Sequence, residues 1–172
     1  VIPKIVRVVL QRRVANALPI PQPLSCPVCD GPVERGEGEA ALRCASGLSC
    51  GAQIIQAIKH FVGRKAMDID GLGEKQVQAL VDAGKISHVA DLYALNHAML
   101  EGMERMGTKS VSNLLAALEA SKDTSLAKFL YSLGIREVGE ATARSLALHY
   151  GRLSDIASAT LEQLQLVDDV GP

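Results

Sequence analysis

Apolar and polar residues alternate through the first ten positions, Val1-Ile2-Pro3-Lys4-Ile5-Val6-Arg7-Val8-Val9-Leu10, a pattern that predicts a strand. Pro19, Pro21 and Pro23 follow, and since proline continues neither a helix nor a central strand they predict an extended linker. Val33-Glu34-Arg35 and Ala40-Ala41-Leu42-Arg43 predict two short strands around the turn-forming Gly36-Glu37-Gly38. From Gln53 onward the period becomes helical. Ile54, Ile55, Ile58, Phe61 and Val62 mark one face of a helix that Gly63 ends.

Aligning the remainder on glycine exposes a repeat. Ile69-Asp70-Gly71-Leu72-Gly73, Met103-Glu104-Arg105-Met106-Gly107, Ile135-Arg136-Glu137-Val138-Gly139 and Val167-Asp168-Asp169-Val170-Gly171 share apolar residues at positions one and four and glycine at position five. The fifth-position glycines lie 34, 32 and 32 residues apart. Apolar Val77, Val111 and Ala143 stand four residues after the glycine, and Leu80, Leu114 and Leu146 seven after it, which is one face of a following helix. Each unit therefore reads as helix, tight hairpin, helix, with the glycine at the second helix's N-terminus. Glycine there permits unusual dihedrals and lets another group approach the backbone. The first-turn amides of a helix, at the positive end of its dipole, form an anion site. Lys75 and Lys109, each two residues past the glycine, add a cation beside such a site, whereas the third unit has Ala141. Two other readings stay open. A period near 33 also suits a helical solenoid for protein contacts, although the tetratricopeptide and ankyrin signatures are missing, and the glycine could merely cap a turn.

All four cysteines fall in one short stretch: Cys26-Pro27-Val28-Cys29, fourteen residues, Cys44, five residues, Cys50. Two close pairs joined by a hairpin-sized segment suit tetrahedral zinc, each pair supplying two thiolates from a tight turn. Two disulfides are the alternative, disfavoured in a chain that shows no secretory signal. Four protein ligands leave no open coordination position, so the metal is expected to be structural. His60, His88, His97 and His149 lie outside the cluster and are read as ordinary histidines.

Composition changes the picture little: 48% apolar and 22% charged residues describe a globular chain with a core. The net charge of −1 removes any argument from bulk basicity, and 3% aromatic residues leave little with which to stack unpaired bases. A site built from backbone amides needs no net positive charge. Lys4, Arg7, Arg12 and Arg13 stand in the first 25 residues without an acid, as a solvated strand edge and spacer or as a phosphate-contacting arm. No apolar run is long enough for a membrane span, so no membrane partner is expected. A start at Val1 inside an alternating stretch and an end at Val170-Gly171-Pro172 suggest a piece of a longer protein.

In order along the chain, VIPKIVRVVLQRR, CPVC with RCASGLSC, KHFVGRKAMDIDGLG and FLYSLGIREVGEATA closely resemble the C-terminal half of bacterial NAD-dependent DNA ligases. The resemblance implies a mainly α chain. Residues 1–22 would be a short β remnant of an oligonucleotide-binding (OB) barrel with its linker, 23–52 a four-cysteine zinc finger with Cys26, Cys29, Cys44 and Cys50 as ligands, and 53–172 a helix-hairpin-helix domain with its last hairpin truncated. It further implies a bacterial, cytoplasmic, nucleoid-associated DNA-binding fragment that holds nicked double-stranded DNA across the minor groove, with Gly71, Gly73, Lys75, Gly107, Lys109 and Gly139 at the backbone. The family consensus has glycine at the third and fifth hairpin positions. Only the first unit keeps both, with Arg105, Glu137 and Asp169 at the third position elsewhere. In such ligases a lysine in a Lys-x-Asp-Gly motif takes AMP from NAD, and that motif does not occur here. The resemblance therefore implies no catalytic residue in this chain, NAD use only by the full-length parent, and adenylation and OB domains upstream as its partners. The alternatives are a module of another DNA repair enzyme, such as an excision-repair nuclease, or of a topoisomerase, and a protein-interaction helical repeat with a zinc knuckle.

Overall fold

A computed structural model describes residues 3–36, 38–104 and 106–171. The expected N-terminal strand does not form. Residues 3–9 hold no regular structure, Leu10–Arg12 make one 3-10 turn, and Ile5, Val6 and Ile20 are 91%, 85% and 91% exposed. A strand exists through the ladder it shares with a neighbour, and no strand among the described residues lies beside this one. Val1 and Ile2 of that expectation lie outside the described residues.

The two short strands do pair. β1 (Val33–Glu34) runs antiparallel to β2 (Arg43–Cys44), with Val33 opposite Cys44 and Glu34 opposite Arg43. β2 starts later than the sequence suggests, because the chain after Gly36 is still turning: the Glu39 amide donates to Gly36 O. Glu37, in the expected turn, lies outside the described residues.

Helix α1 (Gly51–Val62) ends at Gly63 as its period predicts, burying Ile58, Phe61 and Val62. The repeat then unfolds in register. α2 (Glu74–Asp82), α4 (Thr108–Ser121) and α6 (Glu140–Tyr150) begin directly after Gly73, Gly107 and Gly139, which are their N-cap residues. The helices that lead into the hairpins are α1, α3 (His97–Leu100), α5 (Leu126–Ser132) and, after α7 (Leu153–Ser158), α8 (Leu161–Leu164). Val77, Val111, Ala143, Leu80, Leu114 and Leu146 are all buried. Burial of that stripe drives packing, each large apolar side chain contributing about 1.5–3 kcal/mol.

Two apolar clusters divide the helices. One joins α1, α2, α3 and α4 through residues such as Ile69, Leu72, Leu92 and Leu100, and the other joins α5 to α8 around Leu130, Ala143, Leu146 and Val167. Units one and two thus share one core, and units three and four another. His60 Nε2 on α1 donates to Tyr131 O on α5 at 2.7 Å and ties the two together.

The third hairpin position carries the left-handed backbone. Gly71 has φ +94°, Glu137 +63° and Asp169 +66°; Arg105 lies outside the described residues. Glycine takes this conformation freely and other residues with strain. Glu137→Gly is expected to raise stability by about 1 kcal/mol, read from denaturant midpoints at constant slope; an unchanged or lower midpoint would show that its side chain compensates the strain.

Candidate metal centre and nucleic-acid interface

The finger is built by two turns facing each other. In the first, the Asp30 amide donates to Cys26 O and the Cys26 amide to Gly31 O, both at 2.9 Å, with Asp30 at φ +52°. This loop projects Cys26 and Cys29 inward. In the second, Cys44 leaves β2, a 3-10 turn at Gly47–Ser49 reverses the chain, and Cys50 arrives as the N-cap of α1. Gln53 Nε2 donates to Cys44 O at 3.0 Å and fastens the turn to the helix.

The four sulfurs converge. Cys26 Sγ lies 4.0 Å from Cys50 Sγ and Cys29 Sγ 3.6 Å from Cys44 Sγ, and all four lie within 4.8 Å of one another without a disulfide. A zinc ion at about 2.3 Å from each of four thiolates needs sulfur separations of about 3.8 Å. The donor set fits a tetrahedral, fully coordinated ion. Cys26 and Cys50 are buried, while Cys29 and Cys44 are half-buried.

Local donors prepare thiolates. The Ser46 hydroxyl, with the Ser46 amide behind it, draws the Cys44 thiol down to about 6, and the Ser46 hydroxyl also lowers Cys29. At Cys50 the Gln53 amide acts to lower the thiol, but burial and the thiols of Cys29 and Cys26 leave it raised. The position of Ser46 depends on Gly31: a Cβ there would stand 2.0 Å from Ser46 Oγ and 3.2 Å from Cys29 Sγ. Gly31→Ala should therefore weaken zinc affinity about 10- to 100-fold, as loss of a supporting contact does, and Ser46→Ala, which removes the hydroxyl itself, should weaken it comparably. Competition with a chromophoric chelator measures both, and unchanged affinity in Gly31→Ala would show that Ser46 is dispensable.

The second surface is the row of hairpin glycines. Gly73, Gly107 and Gly139 are exposed, with φ of −74°, −70° and −83°. These are ordinary extended N-cap values, so the expectation that glycine is needed there for unusual dihedrals is corrected: the left-handed residue is two positions earlier. Access is the remaining reason. A Cβ at Gly107 or Gly139 would meet nothing within 4 Å, and at Gly73 only the mobile end of Gln76 at 2.9 Å. Gly71 instead faces the core side, its Cβ position 3.5 Å from Leu114 Cβ on α4.

Lys75 and Lys109 are exposed and have no ion pair among the described residues. Lys75, with Gln76 and Ala79, lines a cleft whose other wall is Met103 and Met106 of the second hairpin. The basic residues Lys4, Arg7, Arg12 and Arg13 are exposed on the unpaired N-terminal stretch. Sequence reasoning missed three long-range ion pairs among the described residues: Lys59 Nζ to Glu74 Oε1 at 3.0 Å, Lys65 Nζ to Glu140 Oε1 at 2.9 Å, and an Arg136 ion pair to Glu39 in the finger. No local period marks such pairs. Among the histidines, His60 bonds Tyr131 O and His88 pairs with Asp91, and none approaches the sulfur cluster.

Comparison with known proteins agrees with this architecture. Residues 64–120 match a SAM-like helix-hairpin-helix tandem family and residues 128–172 a helix-hairpin-helix motif family, so the class is a zinc finger followed by helix-hairpin-helix modules. Residues 25–52 match the NAD-dependent DNA ligase C4 zinc finger domain. Over its full length the chain is 58% identical to a DNA ligase of Cellvibrio japonicus, 57% to one of Saccharophagus degradans and 52% to one of Marinobacter nauticus. It spans about a quarter of the length of these relatives. Along its whole length the chain is similar to a C-terminal part of DNA ligases, and its finger matches that of the NAD-dependent ones. No helix among the described residues is long and apolar enough to cross a membrane.

Proposed function

We propose that this chain is the part of a bacterial NAD-dependent DNA ligase that holds nicked duplex DNA, working in the cytoplasm at the nucleoid, while adenylation and OB domains of the same polypeptide seal the nick. The observation that carries the reading is the row of exposed N-cap glycines in register at the starts of α2, α4 and α6. Each helix start presents backbone amides beside a glycine whose Cβ position is open at Gly107 and Gly139 and filled at Gly73 only by the end of Gln76. Phosphates held in this way are gripped regardless of base sequence, which suits an enzyme that must act on any nick. Gly73, Gly107 and Gly139 are the close-approach positions, Lys75 and Lys109 add charge beside two of them, and Gly71 sets the turn of the first hairpin. Residues 1–22, 23–52 and 53–172 are the corresponding barrel end with linker, finger and hairpin domain.

Cys26, Cys29, Cys44 and Cys50 are the zinc ligands in this account. A zinc ion closed by four thiolates would supply rigidity and no reactive position. Cys50, as a ligand and the N-cap of α1, would carry that rigidity to the helix that leads into the first hairpin. Catalysis belongs to the adenylation domain, because the chain has no Lys-x-Asp-Gly lysine. Incubation with radiolabelled NAD is expected to leave this chain unlabelled, and adding it to an adenylation and OB segment is expected to improve nick sealing. Covalent AMP on any of its residues would overturn the assignment.

A further inference from the structure

We propose that Lys65, carried by the loop of the first unit, is the phosphate-facing cation of the third hairpin, so that units one and three grip the duplex as a coupled pair. The proposal rests on the duplex-gripping role argued above. Units one and two place a lysine two residues after the hairpin glycine, at Lys75 and Lys109, but unit three has Ala141 there. Unit three is also burdened with acid. Glu137 occupies its third hairpin position and Glu140 opens α6, so two carboxylates flank the amides that a phosphate would use.

In space the missing cation is supplied from another unit. Lys65 Nζ lies 2.9 Å from Glu140 Oε1 at the first residue of α6. The loop that carries it is anchored: Ala66 and Met67 are buried on its C-terminal side, and the Ala66 and Asp68 amides donate to Gly63 O. Lys65 itself points outward, its side chain 74% exposed against 51% for Glu140. An exposed ion pair contributes little to folding. It does hold an ammonium beside the amides of α6, where an arriving phosphate oxyanion would share it in a charge-assisted hydrogen bond. The neighbouring carboxylate of Glu140, by hydrogen bond and charge, raises the Lys65 pKa and keeps it protonated.

The same arrangement recurs at unit one, where the first residue of α2 is again a glutamate and Lys59 of α1 stands 3.0 Å from it. In both places a lysine from α1 or its loop neutralises the carboxylate next to a hairpin glycine. Unit two, whose α4 opens with Thr108, has no such carboxylate to neutralise.

The test is fluorescence anisotropy of the zinc-loaded chain on a nicked duplex of about 20 base pairs over a salt series. Lys65→Ala is expected to lower affinity about three- to tenfold at low salt and to flatten the log-log salt slope by about 0.9, with its melting temperature unchanged. Lys122→Ala removes another exposed, ion-paired lysine, joined to Glu119 at the far end of α4, and should change both much less. Adding Ala141→Lys to Lys65→Ala should restore affinity and slope, since it puts the charge back beside the same helix start. A folded Lys65→Ala that binds as tightly as the wild type with the same slope would overturn the proposal. Loss of affinity that Ala141→Lys fails to recover would also overturn it, because Lys65 would then be a strut between units. Failure of the wild-type chain to bind duplex at all would instead overturn the gripping role itself.

Discussion

Stripping zinc from the protein is expected to unfold residues 26–50 while both helical cores stay folded. The reason lies in what the finger lacks. Among the described residues between 23 and 50 the only buried side chains are Cys26 and Cys50, and the β ladder is two residues long on each strand. So small an element cannot bury enough apolar surface to offset its chain entropy, and the metal must supply the difference. A structural zinc ion contributes on the order of 10 kcal/mol in such domains. The helical clusters around Ile58, Leu80 and Leu114 and around Leu130 and Ala143 contain no metal-ligand candidate and should keep their protection. Only the first turn of α1 should fray, since Cys50 is its N-cap and Gln53 is tied to Cys44. Hydrogen exchange before and after chelation reads this residue by residue. Less than half an equivalent of zinc in protein purified without chelator, or intact disulfides among the four cysteines, would contradict it.

The second large effect is expected from blocking the hairpin amides. Gly107→Val and Gly139→Val should fold normally, because a Cβ at either position meets nothing within 4 Å and the backbone already has a φ that valine accepts. Both should nevertheless lose duplex affinity by about tenfold or more, since the isopropyl group stands where a phosphate must come within hydrogen-bond reach of the amides. Lys75→Ala and Lys109→Ala remove one solvent-screened charge each and should cost about two- to threefold. Gly73→Val follows the same logic after Gln76 moves aside. Equal affinity for the wild type and a folded Gly107→Val would show that these glycines only cap their helices.

Much of this was legible because the pattern is periodic. Val77, Val111 and Ala143 with Leu80, Leu114 and Leu146 announce their burial by spacing alone, and four cysteines in one stretch announce a cluster. The N-terminal alternation misled for a physical reason: it states which face a strand would bury but cannot provide the neighbouring strand. The sequence does not mark the left-handed hairpin residue, because such a position usually shows itself as glycine, and here Glu137 and Asp169 occupy it. Ile135 also departs from its repeat: its counterparts Ile69 and Val167 are buried, yet it is 49% exposed. Contacts such as Lys65 with Glu140 or Arg136 with Glu39 arise from how units pack, and no spacing along one unit encodes them.

That hairpin amides grip the duplex backbone without reading its sequence is tested most directly by the equilibrium affinity of the zinc-loaded chain for two nicked duplexes of unrelated sequence across a range of salt. Equal affinities that fall together with salt, at a slope shallower than that of a basic protein of the same footprint, are predicted, because amide contacts release fewer counterions than lysines do. A strong preference for one sequence, or no binding to either duplex at low salt, would contradict it.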